Sequence, residues 1–161
     1  MSKMAARSVS VISPFYNEKE ALQELATRIS RQLDATGRDY EIILVDDGST
    51  DGSRDILREI SAEYPVVRSI FLRRNYGQTA AMDAGFREAK GEVIVPMDAD
   101  LQNDPSDIGM LLQHIDEGCD VVKGWRKDRQ DTFINRTLPS RIANGLISRV
   151  TGVHLHDYGC T

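Results

Sequence analysis

A chain of 161 residues, 40% hydrophobic and 28% charged, is long enough for one well-buried core and too short for two ordinary domains. Its net charge of −5 argues against a general nucleic-acid binder, and no stretch approaches the ~18 apolar residues that a spanning helix requires. Cys119 and Cys160 lack a CxxC spacing, which argues against a disulfide framework or a zinc site and makes a reducing compartment the default.

Short apolar runs alternate with segments of helical period along the chain, which predicts an α/β fold with a parallel sheet flanked by helices. Met1 to Ser8 precede the first run without an apolar h-region, so no secretory signal is expected. Val9 to Ser13 reads as the first strand and leads into Pro14-Phe15-Tyr16-Asn17-Glu18. Leu22, Leu25, Ile29 and Leu33 then form one helical stripe. Glu41 to Val45 is the second strand, followed by Asp46-Asp47-Gly48-Ser49-Thr50-Asp51-Gly52-Ser53. That segment is rich in turn formers, and Ser53 or Asp51 should cap the helix marked by Ile56, Leu57, Ile60 and Tyr64. Val67 to Leu72 is the third strand, and Thr79 to Ala89 make a small-residue helix suited to close packing. Glu92 to Met97 is the fourth strand. Beyond it, Asn103 or Asp104 with Pro105 should open a helix carrying Ile108, Leu111, Leu112 and Ile115, which Gly118 stops. Asp120 to Gly124 reads as a fifth strand, and residues 126 to 139, polar and without apolar period, as a functional or mobile loop. A last helix is expected over Ser140 to Thr151, with Ile142, Leu146, Ile147 and Val150.

Two carboxylates two apart, Asp98 and Asp100, follow the buried fourth strand, at the sheet edge where open parallel sheets place their ligands. If residues 98 to 100 stay extended, these side chains face the same way about 7 Å apart. They can then hold one divalent cation between them, or between protein and a bound diphosphate. A helix cap explains Asp104 and Pro105 but does not need Asp98 and Asp100. Likewise, turn chemistry accounts for Gly48 to Ser53 and leaves Asp46 without a task. A carboxylate there can accept the imide or amide N–H of a nucleobase, and Tyr16 can offer a stacking face.

Residues 123 to 149 hold Lys123, Arg126, Lys127, Arg129, Arg136, Arg141 and Arg149 against Asp128 and Asp131, a local sum of +5 where the rest carries −10. A basic segment on an acidic body suits an anionic ligand or membrane surface, although a solvated helical face also uses arginines. Other motifs fail. An EF-hand loop from Asp47 has Arg58 where a bidentate Glu is required, and neither GxGxxG nor GxxxxGK[ST] occurs. His154 and His156 lack a third metal ligand. The acid pair of aspartyl-nucleophile phosphatases is expected after the first strand rather than the fourth.

Six motifs in order carry a resemblance: Pro14-Phe15-Tyr16-Asn17-Glu18, Asp46-Asp47-Gly48-Ser49-Thr50-Asp51-Gly52, Arg74-Asn75-Tyr76-Gly77-Gln78, Asp98-Ala99-Asp100-Leu101-Gln102, Gly124-Trp125-Arg126-Lys127 and His156-Asp157-Tyr158-Gly159-Cys160-Thr161. Together they resemble the family 2 inverting glycosyltransferases of GT-A fold, in particular the polyisoprenyl-phosphate branch. That branch includes dolichyl-phosphate mannose synthases, bacterial undecaprenyl-phosphate glucosyltransferases and the aminoarabinose transferase of lipid A modification. The resemblance implies a Rossmann-like, mostly parallel sheet forming a single donor-binding domain over residues 1–161. It implies that Pro14, Tyr16, Glu18, Asp46, Asp47 and Ala99 hold the nucleotide and that Asp98 approaches the donor. Asp100 and Gln102, with Asp98, would ligate Mg2+ or Mn2+, and Asp157 matches the acid often assigned as base.

The chemistry suits these roles. A hard cation neutralises the charge growing on a leaving diphosphate. A lipid monophosphate acceptor, with a second pKa near 6, is largely dianionic at neutral pH and attacks the anomeric carbon with little help from a base. Bringing two anions together is the harder task, and Arg126, Arg129, Arg136 and Arg141 suit it through bidentate guanidinium–phosphate pairs. Arg126 and Arg141 are therefore counted with Asp98 and Asp157 as catalytic. Orienting an arginine or the acceptor is as good a role for Asp157 as deprotonation.

The expected function is metal-dependent, inverting transfer of a hexose, such as glucose from UDP-glucose, to a polyprenyl phosphate at the cytoplasmic membrane face. A nucleotide-sugar-binding module without turnover, or a family 2 transferase with a polysaccharide or other non-lipid acceptor, stays open. So do GDP as the nucleotide and a homo-oligomeric state. Members of this branch continue past the Asp-Tyr-Gly-Cys motif into membrane-associated elements. The chain is accordingly expected to be soluble, truncated, and competent for the donor before the acceptor, with membrane contact made by residues beyond Thr161.

Overall fold

The computed structural model describes residues 7–124. The chain groups into two compact units, Met1–Asp120 and Val121–Thr161, and the fold below is that of the first. The expected helix over Ser140 to Thr151, the loop 126 to 139, the four acceptor arginines and Asp157 lie outside the described residues.

Four parallel strands, β1 (Val9–Phe15), β2 (Tyr40–Asp46), β3 (Val67–Phe71) and β4 (Val93–Pro96), lie in the order β3-β2-β1-β4. Between them run α1 (Leu22–Thr36), α2 (Ser53–Glu63) and α3 (Gln78–Glu88), and α4 (Ile108–Asp116) follows a single 3-10 turn at Pro105–Asp107. The central strand β1 is buried at every position, Ser10 and Ser13 included, as a strand in a parallel sheet covered on both faces must be. Crossovers between parallel strands are right-handed. The chain steps from β1 through β2 to β3 and then returns past β1 to β4, so α1 and α2 fall on one face and α3 on the other. That reversal makes the carboxyl end of β1 the topological switch point, the place where such sheets open a crevice.

α3 packs on Ile12, Ile43 and Val45 through Ala81, with Met82, Ala84 and Ala89 beside it. Its small residues have a measurable purpose, because a Cβ on Gly85 would stand 2.3 Å from Ile12 Cγ2. Two of the expected caps are present: Asp104 Oδ1 accepts from the Ser106 N–H at 3.0 Å, and Gly118 (φ 103°) closes α4. At α2 neither Ser53 nor Asp51 is the cap: that position is Gly52, with no side-chain cap bond, and Asp51, one residue earlier, accepts from the Ser53 N–H at 2.9 Å. The expected fifth strand is absent. Residues 121–124 carry no regular structure, and Val121 is 77% exposed. A strand is stabilised by ladder bonds and packing rather than by propensity, and two valines without a paired edge supply neither. Among the described residues no helix is long and apolar enough to cross a membrane.

At the amino end of the sheet one carboxylate ties four elements together. Glu41 accepts from Ser10 Oγ at 2.7 Å, from the Lys90 N–H at 2.7 Å and from Arg68 at 2.8 Å, while Arg68 also reaches the Glu88 carbonyl and carboxylate. Partial burial pushes the Glu41 carboxyl up, but Arg68, Ser10 and the Lys90 N–H outweigh it and hold it below its ordinary value. A carboxyl depressed on folding contributes stability that is fully present above its unfolded pKa, near 4.3, and is lost as pH falls through the lower folded value. Glu41→Gln should therefore cost about 1 kcal/mol at neutral pH, reduced from a buried charged bond by the exposure of Arg68. Urea titrations should show that difference constant above about pH 5 and shrinking below about pH 4. A difference independent of pH down to full protonation would mean that packing, not charge, sets the effect.

Candidate active site

A cleft of about 340 Å3 opens at the carboxyl ends of β1, β2 and β4. Pro14 and Phe15 end β1 and Tyr16 and Glu18 follow it, Asp47 follows β2, and Asp98, Ala99 and Asp100 lie beyond β4. The segment joining β3 to α3 closes the rim with Asn75, Gly77 and Gln78. Seven residues singled out from sequence thus meet in one place: Pro14, Tyr16, Glu18, Asp47, Asp98, Ala99 and Asp100.

The loops that carry them form one laced structure. Asn17 adopts a left-handed backbone (φ 58°), a conformation asparagine tolerates, and donates its N–H to Ser49 Oγ at 2.9 Å. Its side-chain oxygen accepts from the Thr50 N–H at 2.8 Å. Asp51 accepts from the Lys19 N–H at 3.3 Å and from Ser53 Oγ at 2.5 Å. The little burial it has would raise the Asp51 carboxyl, but the bonds from Ser53 and Lys19 hold it below the usual range. Tyr16 remains 44% exposed, with its ring at the cleft wall.

Asp46 and Asp47, adjacent in sequence, have different tasks. Asp46 is fully buried and does not line the cleft: Oδ1 accepts from the Ser49 N–H at 2.9 Å and Oδ2 from Arg54 Nε, while Arg54 also donates to the Leu72 carbonyl. The carboxylate that turn chemistry left unemployed anchors the turn and the start of α2. Asp47 does line the cleft, and its two oxygens accept the Tyr76 and Gly77 N–H groups at 2.8 Å each. Beside it Gly48 (φ 77°) lies against the Arg74–Asn75 backbone so closely that a Cβ would stand 2.3 Å from the Arg74 carbonyl carbon.

Asp98 and Asp100 share the cleft by a different route from the extended spacing that the sequence suggested. Strand β4 ends at Pro96, residues 99–101 bend, and Leu101 takes φ 59°, a left-handed conformation that costs a side-chain-bearing residue about 1 to 2 kcal/mol. Asp100 Oδ1 accepts the Gln102 N–H at 3.0 Å, which fixes the bend. Gln102 itself is exposed and outside the lining residues. Asp98 Oδ1 accepts from Gln78 Nε2 at 2.7 Å.

Sequence reasoning assigned no role to Asn75, Gly77 or Gln78, although their motif contributed to the resemblance. A polar, glycine-containing segment just past the third strand, at the ligand edge of a parallel sheet, was the available signal. Among the described residues no three His, Cys, Asp or Glu side chains form a ready-made metal cage.

Comparisons agree with this architecture. Residues 10–161 match the family described as Glycosyl transferase family 2. Two relatives, both named undecaprenyl-phosphate 4-deoxy-4-formamido-L-arabinose transferase, come from Edwardsiella ictaluri (49% identical over 154 residues) and Aeromonas hydrophila (42% identical over 161 residues). These matches cover 94% and 99% of this chain but 47% and 49% of the relatives, so the chain spans about half their length. Among solved structures, the mannosyltransferase PcManGT from Pyrobaculum calidifontis, in complex with GDP-Man and Mn2+, is 29% identical with a TM-score of 0.53, over 60% of this chain and 28% of that one. S. aureus TarS 1-349, at 20% identity and a TM-score of 0.60 over 96% of this chain and 52% of that one, shares the fold alone. With the parallel sheet, the switch-point cleft and a family match that runs from β1 to the last residue, the chain belongs to glycosyl transferase family 2, with a GT-A fold.

Proposed function

We propose that this chain is the donor-binding part of a transferase that moves a sugar from a nucleotide-sugar to a polyprenyl phosphate. The observation that carries it is the convergence of Asp47, Asp98 and Asp100 with Tyr16 and Glu18 in one switch-point cleft. Tyr16 offers a ring to the base, while Pro14, Glu18, Asp47 and Ala99 form the walls of the nucleotide site, which Asp46 supports from beneath. Asp98 and Asp100 fit a hard cation, since Mg2+ is usually held by one or two carboxylates together with substrate phosphates rather than by an all-protein cage. Mg2+ or Mn2+ bound there supplies charge neutralisation for the departing diphosphate. Gln102 is proposed beside them, a reading supported by the bond from its backbone N–H to Asp100 Oδ1.

The relatives' names favour a polyprenyl phosphate acceptor, and they favour 4-deoxy-4-formamido-L-arabinose over the hexose expected from sequence. In the proposed reaction an acceptor phosphate oxygen attacks the anomeric carbon on the face opposite the diphosphate. The new C–O bond forms as the bond to the nucleotide diphosphate breaks, inverting the configuration. Arg126, Arg129, Arg136 and Arg141 are proposed to hold the acceptor phosphate, and Asp157 to orient that group or an arginine. A lipid acceptor places the reaction at a membrane surface, with the cytoplasmic face and UDP as parts of the same proposal.

Calorimetry on the 161-residue chain tests the donor half. UDP affinity should be about tenfold higher in Mn2+ than in EDTA, and Asp100→Ala should remove that difference. Equal wild-type affinity in EDTA and Mn2+ would rule out the metal role. Side-by-side titration of GDP decides the nucleotide. Turnover of a short polyprenyl phosphate with UDP-4-deoxy-4-formamido-L-arabinose and with UDP-glucose, by this chain and by one of the relatives' full length, decides the sugar. Donor binding without transfer at both lengths would favour the binding-module alternative.

A further inference from the structure

We infer that Gln78 is a positioning residue that sets the orientation of the Asp98 carboxylate, and that Asp47 places Gln78 by holding the backbone from which it departs. The starting observation is the hydrogen bond from Gln78 Nε2 to Asp98 Oδ1 at 2.7 Å. Gln78 is the first residue of α3 and is exposed, so it contributes little to the core. A carboxylate with one oxygen pinned by a fixed donor presents its second oxygen in a defined direction, which is the task of groups that stand behind a metal ligand.

Gln78 is itself held in place. Asp47 accepts the Tyr76 and Gly77 N–H groups on its two oxygens, and Asn75 Oδ1 accepts the Gly77 N–H at 3.1 Å. Gly77 sits at φ 92° and ψ 156°, a backbone conformation open essentially to glycine alone. Asp47 therefore fixes the residue from which α3 departs, and with it the origin of the Gln78 side chain. Strands β2 and β4 do not pair; both flank β1. The series Asp47, Gly77, Gln78, Asp98 thus joins the ends of two non-adjacent strands over the carboxyl end of β1, along the wall of the cleft. A ligand group seated against Asp47 is in this way coupled to the geometry of the Asp98 carboxylate. An amide suits the position because it donates to a carboxylate without adding charge, whereas a glutamate would set a second negative group against Asp98.

This inference rests on the proposed donor site for its purpose but not for its geometry, so two measurements separate them. In the ligand-free chain, the Gln78 side-chain amide signals in a 15N–1H correlation spectrum should lie away from those of solvent-exposed glutamines and move to that position in Asp98→Ala. Signals already at the solvent position, and unmoved by Asp98→Ala, would overturn the proposal. In the second measurement, Gln78→Ala should keep its melting temperature close to wild type and weaken Mn2+-dependent UDP binding about tenfold, with a changed Mn2+ electron paramagnetic resonance line shape. The same substitution in an Asp98→Ala background should have no further effect. Equal losses in both backgrounds would show that Gln78 acts other than through Asp98 and overturn the assignment. A spectrum that shows the bond in a chain that binds no UDP would leave the positioning intact and remove the donor-site proposal instead.

Discussion

Gly48→Ala should cost about 4 kcal/mol of folding stability and weaken nucleotide binding with it, because two penalties coincide at this position. A non-glycine residue at φ 77° carries about 1 to 2 kcal/mol of strain. A Cβ would also stand 2.3 Å from the Arg74 carbonyl carbon, 2.6 Å from Asn75 N and 2.7 Å from Arg74 Cα. These are backbone atoms that cannot rotate away, so the segment must move, at an overpacking cost of about 1 to 3 kcal/mol. The same movement draws the Tyr76 and Gly77 N–H groups off Asp47, which is why binding should fall together with stability. Gly37 is the internal control. It has φ 65°, and a Cβ there would meet nothing within 4 Å, so Gly37→Ala should cost only about 1 kcal/mol of conformational strain. Urea denaturation of both variants measures the contrast. Equal costs at the two positions would show that the close approach of residues 74–75 contributes nothing.

The second large effect is expected at Arg54. Its guanidinium pairs with Asp46, whose carboxylate is wholly buried, and it also donates to the Leu72 carbonyl. Removing one partner leaves an uncompensated charge in the interior, which typically costs about 3 to 5 kcal/mol. Arg54 is partly exposed, and water admitted by a shorter side chain would relieve some of that. Arg54→Met should therefore cost about 3 kcal/mol. Asp46→Asn in the same chain should recover part of the loss, because the penalty comes from the unpaired carboxylate rather than from the missing arginine. Asp46→Asn alone also distinguishes the anchor from the nucleobase acceptor suggested by sequence. Lower stability with UDP affinity within about twofold of wild type supports the anchor. Unchanged stability with a selective loss of UDP affinity would return Asp46 to the base.

Much of the α/β frame was legible from local pattern, because hydrophobic periodicity records which side of an element meets the core. The stripe Leu22, Leu25, Ile29 and Leu33 is buried, as are Leu57 and Ile60. Asp104 and Pro105 form the predicted cap. The fifth strand does not form although Val121 and Val122 have strand propensity, because a strand requires a partner edge that sequence does not display. The cleft was legible in part. Carboxylates following buried strands pointed to the right edge of the sheet, since acids clustered there need a reason.

Local pattern was sufficient for the order of the first four strands and their helices and for the edge where ligands gather, because each depends on periodicity or on residue type next to a strand end. Which acids face the cleft, and what each does there, depends on contacts between distant segments. Asp46 and Asp47 are consecutive, and nothing local distinguishes a carboxylate satisfied by Ser49 and Arg54 below the cleft from one that braces Tyr76 and Gly77 on its wall. Asp98 and Asp100 reach the same space through the left-handed bend at Leu101, and Gln78 reaches Asp98 from 20 residues away. Hydrogen-bond partners of buried carboxylates are chosen by how non-adjacent strands and loops meet, and that juxtaposition exists only once the sheet has formed.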